Sequence, residues 1–206
     1  SGVTQTMRDA LADVARAAER LVELRSGDVV LDIGSNDGTL LRSYSVPSIV
    51  RVGVEPASNM MEEGARGLDL FINGFWPLKT TENDYMHSTK AKVVTALGMF
   101  YDLDDPNPFV ADVAKVLSPD GVFIAQLMCL KQMLDLGDVG NLCHEHLEFY
   151  SLRSLEILFS KHGLKIFNVE ENTVNGGSYR IYASLTDRRT DLVTGQATEG
   201  HRRYSG

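Results

Sequence analysis

Residues 29–33, Val29-Val30-Leu31-Asp32-Ile33, form a short apolar run that opens directly into Gly34-Ser35-Asn36-Asp37-Gly38 and then Thr39-Leu40. A run this short, bounded by turn residues, reads as a strand buried on both faces, as in a parallel sheet covered by helices. Gly34 has no Cβ, so the backbone there passes close to a ligand, and Gly38 lets the turn close against the next helix. The first N–H groups of that helix have no partner within it. A strand, a glycine turn and a helix in immediate succession restrict the chain to an α/β architecture with a ligand loop after its first strand.

The remainder of the chain keeps the alternation. Val50–Val54 reads as a second strand that ends at Glu55-Pro56, with Pro56 holding Glu55 extended. Residues 69–73, 91–97 and 122–128 read as the third to fifth strands, the last after a turn at Ser118-Pro119-Asp120-Gly121. Residues 4–25 have helical spacing, with Met7, Leu11, Val14, Ala18, Leu21 and Val22 on one face. Further helices are expected at 39–45, 59–66, 107–117 and 154–162, the last stopped by Gly163. Residues 164–170 and 178–185 read as two more strands forming an antiparallel edge hairpin. The expectation is a mostly parallel seven-stranded sheet with helices on both faces. Residues 1–26 are expected to be an N-terminal helix, 27–186 the ligand-binding domain, and 187–206 a polar tail, disordered or truncated.

Composition excludes several classes. The net charge of −8 over 206 residues gives no footprint for a phosphate backbone, so nucleic acid is not an expected partner. The two cysteines, Cys129 and Cys143, provide neither a disulfide framework nor a four-cysteine zinc site, and read as reduced cytoplasmic thiols. No apolar run approaches the roughly 18 residues of a membrane span. A small-molecule substrate remains the natural partner.

The glycine spacing is G-x-x-x-G, which is neither the dinucleotide pattern G-x-G-x-x-G nor a phosphate loop. An acid at the strand end, Asp32, disfavours a diphosphate and favours a ligand with an ammonium group. A sulfonium cofactor with an amino-acid tail fits that preference. Glu55, 23 residues beyond Asp32, ends the next strand and is placed to hydrogen-bond the two hydroxyls of an adenosine ribose.

Asn141-Leu142-Cys143-His144-Glu145-His146-Leu147-Glu148-Phe149-Tyr150 is a second polar cluster, holding two of the five histidines. Three readings apply. His144 and His146 share one face of an extended segment, as metal ligands do, although H-E-x-x-H is absent. The stretch also reads as a hydrogen-bonded polar loop over the sheet. The third reading is a general base, because neutral imidazole is available near pH 7 and Glu145 can orient it.

The run Asp32-Ile33-Gly34-Ser35-Asn36-Asp37-Gly38 with Gly53-Val54-Glu55-Pro56 resembles motifs I and II of the class I methyltransferases. The resemblance implies a Rossmann-like fold and S-adenosylmethionine as cofactor, with S-adenosylhomocysteine as product. It implies that Gly34, Asn36 and Gly38 border the methionine part and Glu55 binds the ribose beside Pro56. Phe75 and Leu97-Gly98-Met99 would flank the adenine and sulfonium. The order of glycine loop, ribose acid, His-Glu-His and then Asn175-Gly176-Gly177-Ser178-Tyr179-Arg180 resembles the sugar C-methyltransferases over most of residues 28–185, their central domain. These methylate C-3 of nucleotide-linked 4-keto-deoxysugars. Carried over, His146 is the base, no metal is needed, and Glu145 is its helper. Cys143, Tyr150, Asn175, Ser178 and Arg180 are the candidate acceptor contacts. Cys143 stands where that family has a tyrosine, which keeps O- or N-methylation of another small molecule, or a cofactor-binding fragment inactive by itself, open as alternatives.

Overall fold

The computed structural model describes residues 2, 4–78, 81–128, 150–172 and 178–186, with only the backbone described at 81–84. Its centre is a seven-stranded sheet of β1 (Val29–Ile33), β2 (Val50–Val54), β3 (Leu70–Ile72), β4 (Ala91–Leu97), β5 (Leu117–Met128), β6 (Leu164–Asn172) and β7 (Ser178–Leu185). The strand order is β3-β2-β1-β4-β5-β7-β6. Strands β1 to β5 pair in parallel, and β7 runs antiparallel between β5 and β6. This is the Rossmann-like α/β fold expected from the sequence, including its antiparallel edge pair.

The order follows from burial. All five residues of β1 are buried, so that strand must lie inside the sheet with helices on both sides. One face carries Val30, Val93, Val122, Ile124 and Tyr182. Helices α1 (Gln5–Leu21) and α2 (Thr39–Arg42) cover it, supplying Val14, Ala15, Ala18, Leu40 and Leu41. The opposite face carries Leu31, Val94, Ala96, Phe123, Ala125 and Ile181. It is covered by α4 (Thr81–Thr89), α5 (Pro106–Val116) and α6 (Leu152–Lys161), through Met86, Phe109, Val113, Leu155 and Phe159. Phe100 meets Phe109 edge-on at 5.4 Å and Tyr150 at 5.4 Å, and Phe159 lies 5.6 Å from Phe123. Such ring pairs add about 0.5–1.5 kcal/mol each beyond the area they bury.

Three elements differ from the sequence reading. The expected helix at 59–66 is split into a 3-10 turn, Ser58–Met60, and α3, Met61–Ala65. Helix α4 lies where no helix was foreseen; Met86 is its one buried apolar side chain among those described, so it has no apolar stripe to detect. The expected turn at 118–121 is incorporated in β5 as a bulge: pairing steps from Ala91↔Leu117 to Val93↔Val122. Pro119 and Asp120 face solvent there, which removes Pro119 from the hydrogen-bond ladder. The Asp120 carboxylate receives the Lys92 ammonium.

The carboxyl ends of the parallel strands define the functional edge. Strand β5 leaves the sheet there at Met128, and Met128 pairs with Ser178, the first residue of β7. Asn172, the last residue of β6, also pairs with Ser178.

Candidate cofactor site

The chain passes from β1 outward to β2 and β3, then returns to β4 on the other side of β1. At such a reversal the two crossovers leave a crevice outside the carboxyl ends, where open α/β sheets bind ligands. The glycine loop stands at the mouth of this crevice. Gly34, Asn36 and Gly38 have φ of 77°, 50° and 72°, a left-handed conformation that glycine adopts without strain and asparagine tolerates. Gly34 and Ser35 both donate their N–H groups to the Val54 carbonyl, at 2.8 and 3.1 Å, which fixes the loop to the end of β2.

Glu55 locks the same two segments together. Its Oε2 accepts the Asn36 N–H at 2.9 Å and its Oε1 accepts the Ala57 N–H at 2.8 Å. The Asn73 side chain donates to the Glu55 carbonyl at 2.8 Å, joining the start of the β3–α4 connection to the site. Glu55 is buried, at 7% exposure. A carboxylate has about four acceptor positions, so two remain after the backbone donors are served. Pro56 follows, half-buried.

On the β4 side, Leu97 pairs with Gln126 of β5, and the Gly98 N–H donates to the Gln126 carbonyl at 2.9 Å. Met99 is folded back onto the glycine loop: a Cβ on Gly34 would lie 3.1 Å from Met99 Cγ. Gly34, Asn36, Gly38, Glu55 and Met99 therefore come together, though 65 residues of sequence separate Gly34 from Met99. Phe75, just beyond Asn73-Gly74, is 79% exposed. An aromatic ring this open in a folded chain is a surface available to stack.

Asp32 occupies a different position. It lies under the loop, on the α1-covered face, and is 4% exposed. Thr95 Oγ1 donates to its Oδ1 at 2.6 Å. Burial pushes its carboxyl up to about 7, against the Thr95 hydrogen bond and with the help of the nearby Glu55 charge. At neutral pH Asp32 thus spends much of its time protonated, and any influence on a cation in the crevice is exerted from beneath the backbone. Tyr44 shares this layer, its hydroxyl pushed upward by burial and without a hydrogen-bond partner among the described residues.

The candidate acceptor contacts divide. Tyr150 is buried against Phe100 in the aromatic cluster. Ser178 is buried at the functional edge. Arg180 is also buried, and it is committed to protein partners. Its Nε donates to Gln126 Oε1 at 3.2 Å, and its Nη1 donates to Asp13 Oδ2 of α1 at 2.8 Å and lies 3.6 Å from Glu170 Oε2. Cys143, Glu145, His146 and Asn175 lie outside the described residues, as does His144. Among the described residues there is no group of three metal-ligating side chains, and no helix is long and apolar enough to cross a membrane.

Sequence reasoning missed Thr95, Asn73 and Gln126. Thr95 had a visible signal, a lone hydroxyl inside the apolar half of β4. Asn73 and Gln126 act through backbone carbonyls or neighbouring polar groups, for which one sequence carries no mark.

A crevice with these features, on this strand order, defines the methyltransferase fold class. Residues 4–169 match the family described as "Methyltransferase domain", and the chain belongs to that family. It is 31% identical over 164 residues to the C-methyltransferase NovU of Streptomyces niveus. That alignment covers 79% of this chain and 39% of NovU, so the chain spans well under half of that relative's length. Among solved structures, magnesium protoporphyrin IX methyltransferase (ChlM) from Synechocystis PCC 6803, solved with bound SAH, superposes with a TM-score of 0.61 at 15% identity, over 87% of this chain and 82% of that one. The mitomycin 7-O-methyltransferase MmcR superposes with a TM-score of 0.62 at 18% identity, over 87% and 54%. At these identities the structural likenesses bear on the fold alone.

Proposed function

We propose that the chain binds S-adenosylmethionine across the glycine loop and Glu55, and that it serves methyl transfer to a carbon beside a ketone of a nucleotide-linked deoxysugar. The observation that carries the first half is the Glu55 carboxylate, held by the N–H groups of Asn36 and Ala57 with acceptor positions to spare for a pair of ribose hydroxyls. The loop residues 34–38 have no basic side chain and one acidic one, a poor setting for a diphosphate and a compatible one for an amino-acid tail. Gly34 and Gly38 leave the backbone bare on the methionine side, Phe75 offers a face to the adenine, and Leu97-Gly98-Met99 border the sulfonium. Bound there, S-adenosylmethionine supplies an electrophilic methyl group.

The second half rests on the resemblance to the sugar C-methyltransferases and on the 31% identity to a C-methyltransferase. A carbon next to a ketone becomes nucleophilic only when it loses a proton. His146 takes that proton, with Glu145 orienting the imidazole, an arrangement typically worth about 10²–10⁴ in rate. Cys143, Tyr150, Asn175, Ser178 and Arg180 line the acceptor side in this reading. Arg180 contributes by holding α1 and β5 rather than as a free cation, since Asp13 and Gln126 already engage it.

The test is calorimetric titration of the chain with S-adenosylhomocysteine, with NAD as comparison. Saturable binding of the first and none of the second is expected, and Glu55→Ala should weaken it by at least tenfold, given that hydrogen bonds to a charged group are worth about 1.5–3 kcal/mol. Binding of NAD, or an affinity untouched by Glu55→Ala, would remove the cofactor assignment. For the acceptor chemistry, His146→Ala should abolish turnover of a keto-sugar nucleotide while leaving cofactor affinity intact; retained turnover overturns the base assignment.

A further inference from the structure

Arg42, the last residue of α2, lies on the solvent side of the glycine loop and belongs to none of the motifs read from the sequence. Its guanidinium spans two segments. Nη2 donates to the Asp37 carbonyl at 2.6 Å and approaches Thr39 Oγ1 at 3.5 Å. Nη1 donates to the Arg66 carbonyl at 3.0 Å and the Glu63 carbonyl at 3.4 Å. Asp37 is in the glycine loop, while Glu63 and Arg66 are at the carboxyl end of α3, whose last carbonyls have no partner within so short a helix. Arginine suits this task because its donors are arranged in a rigid planar fork, so one side chain serves acceptors on two separate segments.

The two segments are in backbone contact beneath that fork. A Cβ on Gly38 would lie 2.8 Å from the Gly64 carbonyl oxygen and 2.9 Å from Arg42 Nη1. A Cβ on Gly64 would lie 2.7 Å from the Asn36 carbonyl oxygen and 2.5 Å from the Phe71 ring. From the buried side, Glu55 bridges the same pair through the N–H groups of Asn36 and Ala57. The loop and the β2–α3 connection are thus clasped twice, by an anion that takes backbone donors within and by a cation that serves backbone acceptors without.

We propose that Arg42 is a positioning residue for the cofactor: it sets the spacing between the glycine loop, which borders the amino-acid tail, and Glu55, which takes the ribose. The inference rests on the cofactor reading above. Its physical content is preorganisation. A ligand that reaches both half-sites gains from their being fixed at the right separation, whereas a ligand confined to one half-site does not.

That difference supplies the test. The chain and its Arg42→Ala and Arg42→Lys variants are titrated with S-adenosylhomocysteine, which spans both half-sites, and with 5′-methylthioadenosine, which lacks the amino-acid tail. The expected result is an affinity for S-adenosylhomocysteine about tenfold lower in Arg42→Ala, with that for 5′-methylthioadenosine unchanged. Arg42→Lys should lose nearly as much, because one ammonium does not reproduce the fork. If both ligands weaken equally, Arg42 has a general structural role and the proposal falls. If neither weakens, the proposal falls and the cofactor site stands. If the unaltered chain binds neither ligand, the cofactor reading itself is overturned, and the role of Arg42 with it.

Discussion

Asp32 retains a proton that an exposed aspartate would have lost, because the strand carrying it is buried along its whole length. The folded chain therefore binds a proton at Asp32 between the ordinary aspartate value, about 4, and about 7, while the unfolded chain does not. Stability from this group is full below pH 4, falls as pH rises towards 7 and is level above it. The fall is at most about 1.4 kcal/mol per pH unit. Asp32→Asn keeps an acceptor for Thr95 and removes the titration. Urea unfolding of the two proteins at pH 5, 6, 7 and 8 should show the variant gaining on the original up to pH 7 and then holding a constant lead; parallel curves would mean that Asp32 is already ionised in the fold. Glu55 shows what the sequence made legible at this scale. Its place at a strand end pointed to the site, but its two backbone donors, Asn36 and Ala57, became visible only in three dimensions because a backbone N–H leaves no trace in residue identity.

Helix α1 is joined to the sheet both by its apolar face and by one ion pair across the chain. The Arg180 guanidinium holds the Asp13 carboxyl below its ordinary range. Arg180 is buried while Asp13 is half-exposed, so the cation has the most to lose when the pair is broken. Asp13→Ala leaves Glu170 at 3.6 Å and Gln126 as compensation. It should therefore destabilise the chain by about 1–3 kcal/mol, read as a lower urea midpoint, while Asp9→Ala on the exposed side of α1 stays within about 0.5 kcal/mol. Elements with a strong period were legible: the α1 face from Met7 to Val22 and the apolar β1 and β4. Helix α4 was not, because Met86 alone anchors it among its described side chains, and the β5 bulge was read as a turn because proline and glycine mark both in the same way.

For the molecule as a whole, two apolar layers flank one sheet, and the one beneath α5 and α6 holds most of the aromatic rings. Phe159 is fully buried there, against Phe123 and Phe100. Phe159→Ala should cost about 3–5 kcal/mol, which for a chain of this size lowers Tm by roughly 10 °C; a thermal melt losing only a degree or two would show that the layer repacks. Fold class and the cofactor half of the site were both legible in sequence, since each depends on residues close together in the chain. The acceptor half was less so, because Arg180, which read as a free cation, is neutralised by Asp13, 167 positions away, and long-range pairing has no local signal. The order of the strands also separates inheritance from novelty. What grips the cofactor comes from β1, β2 and β4, whereas β5 departs, β6 ends and β7 begins at the same edge on the other side of the crevice. Descendants of such a chain are free to exchange the segments that leave β5 and β6, and so change the molecule they modify, while the grip on the methyl donor passes down untouched.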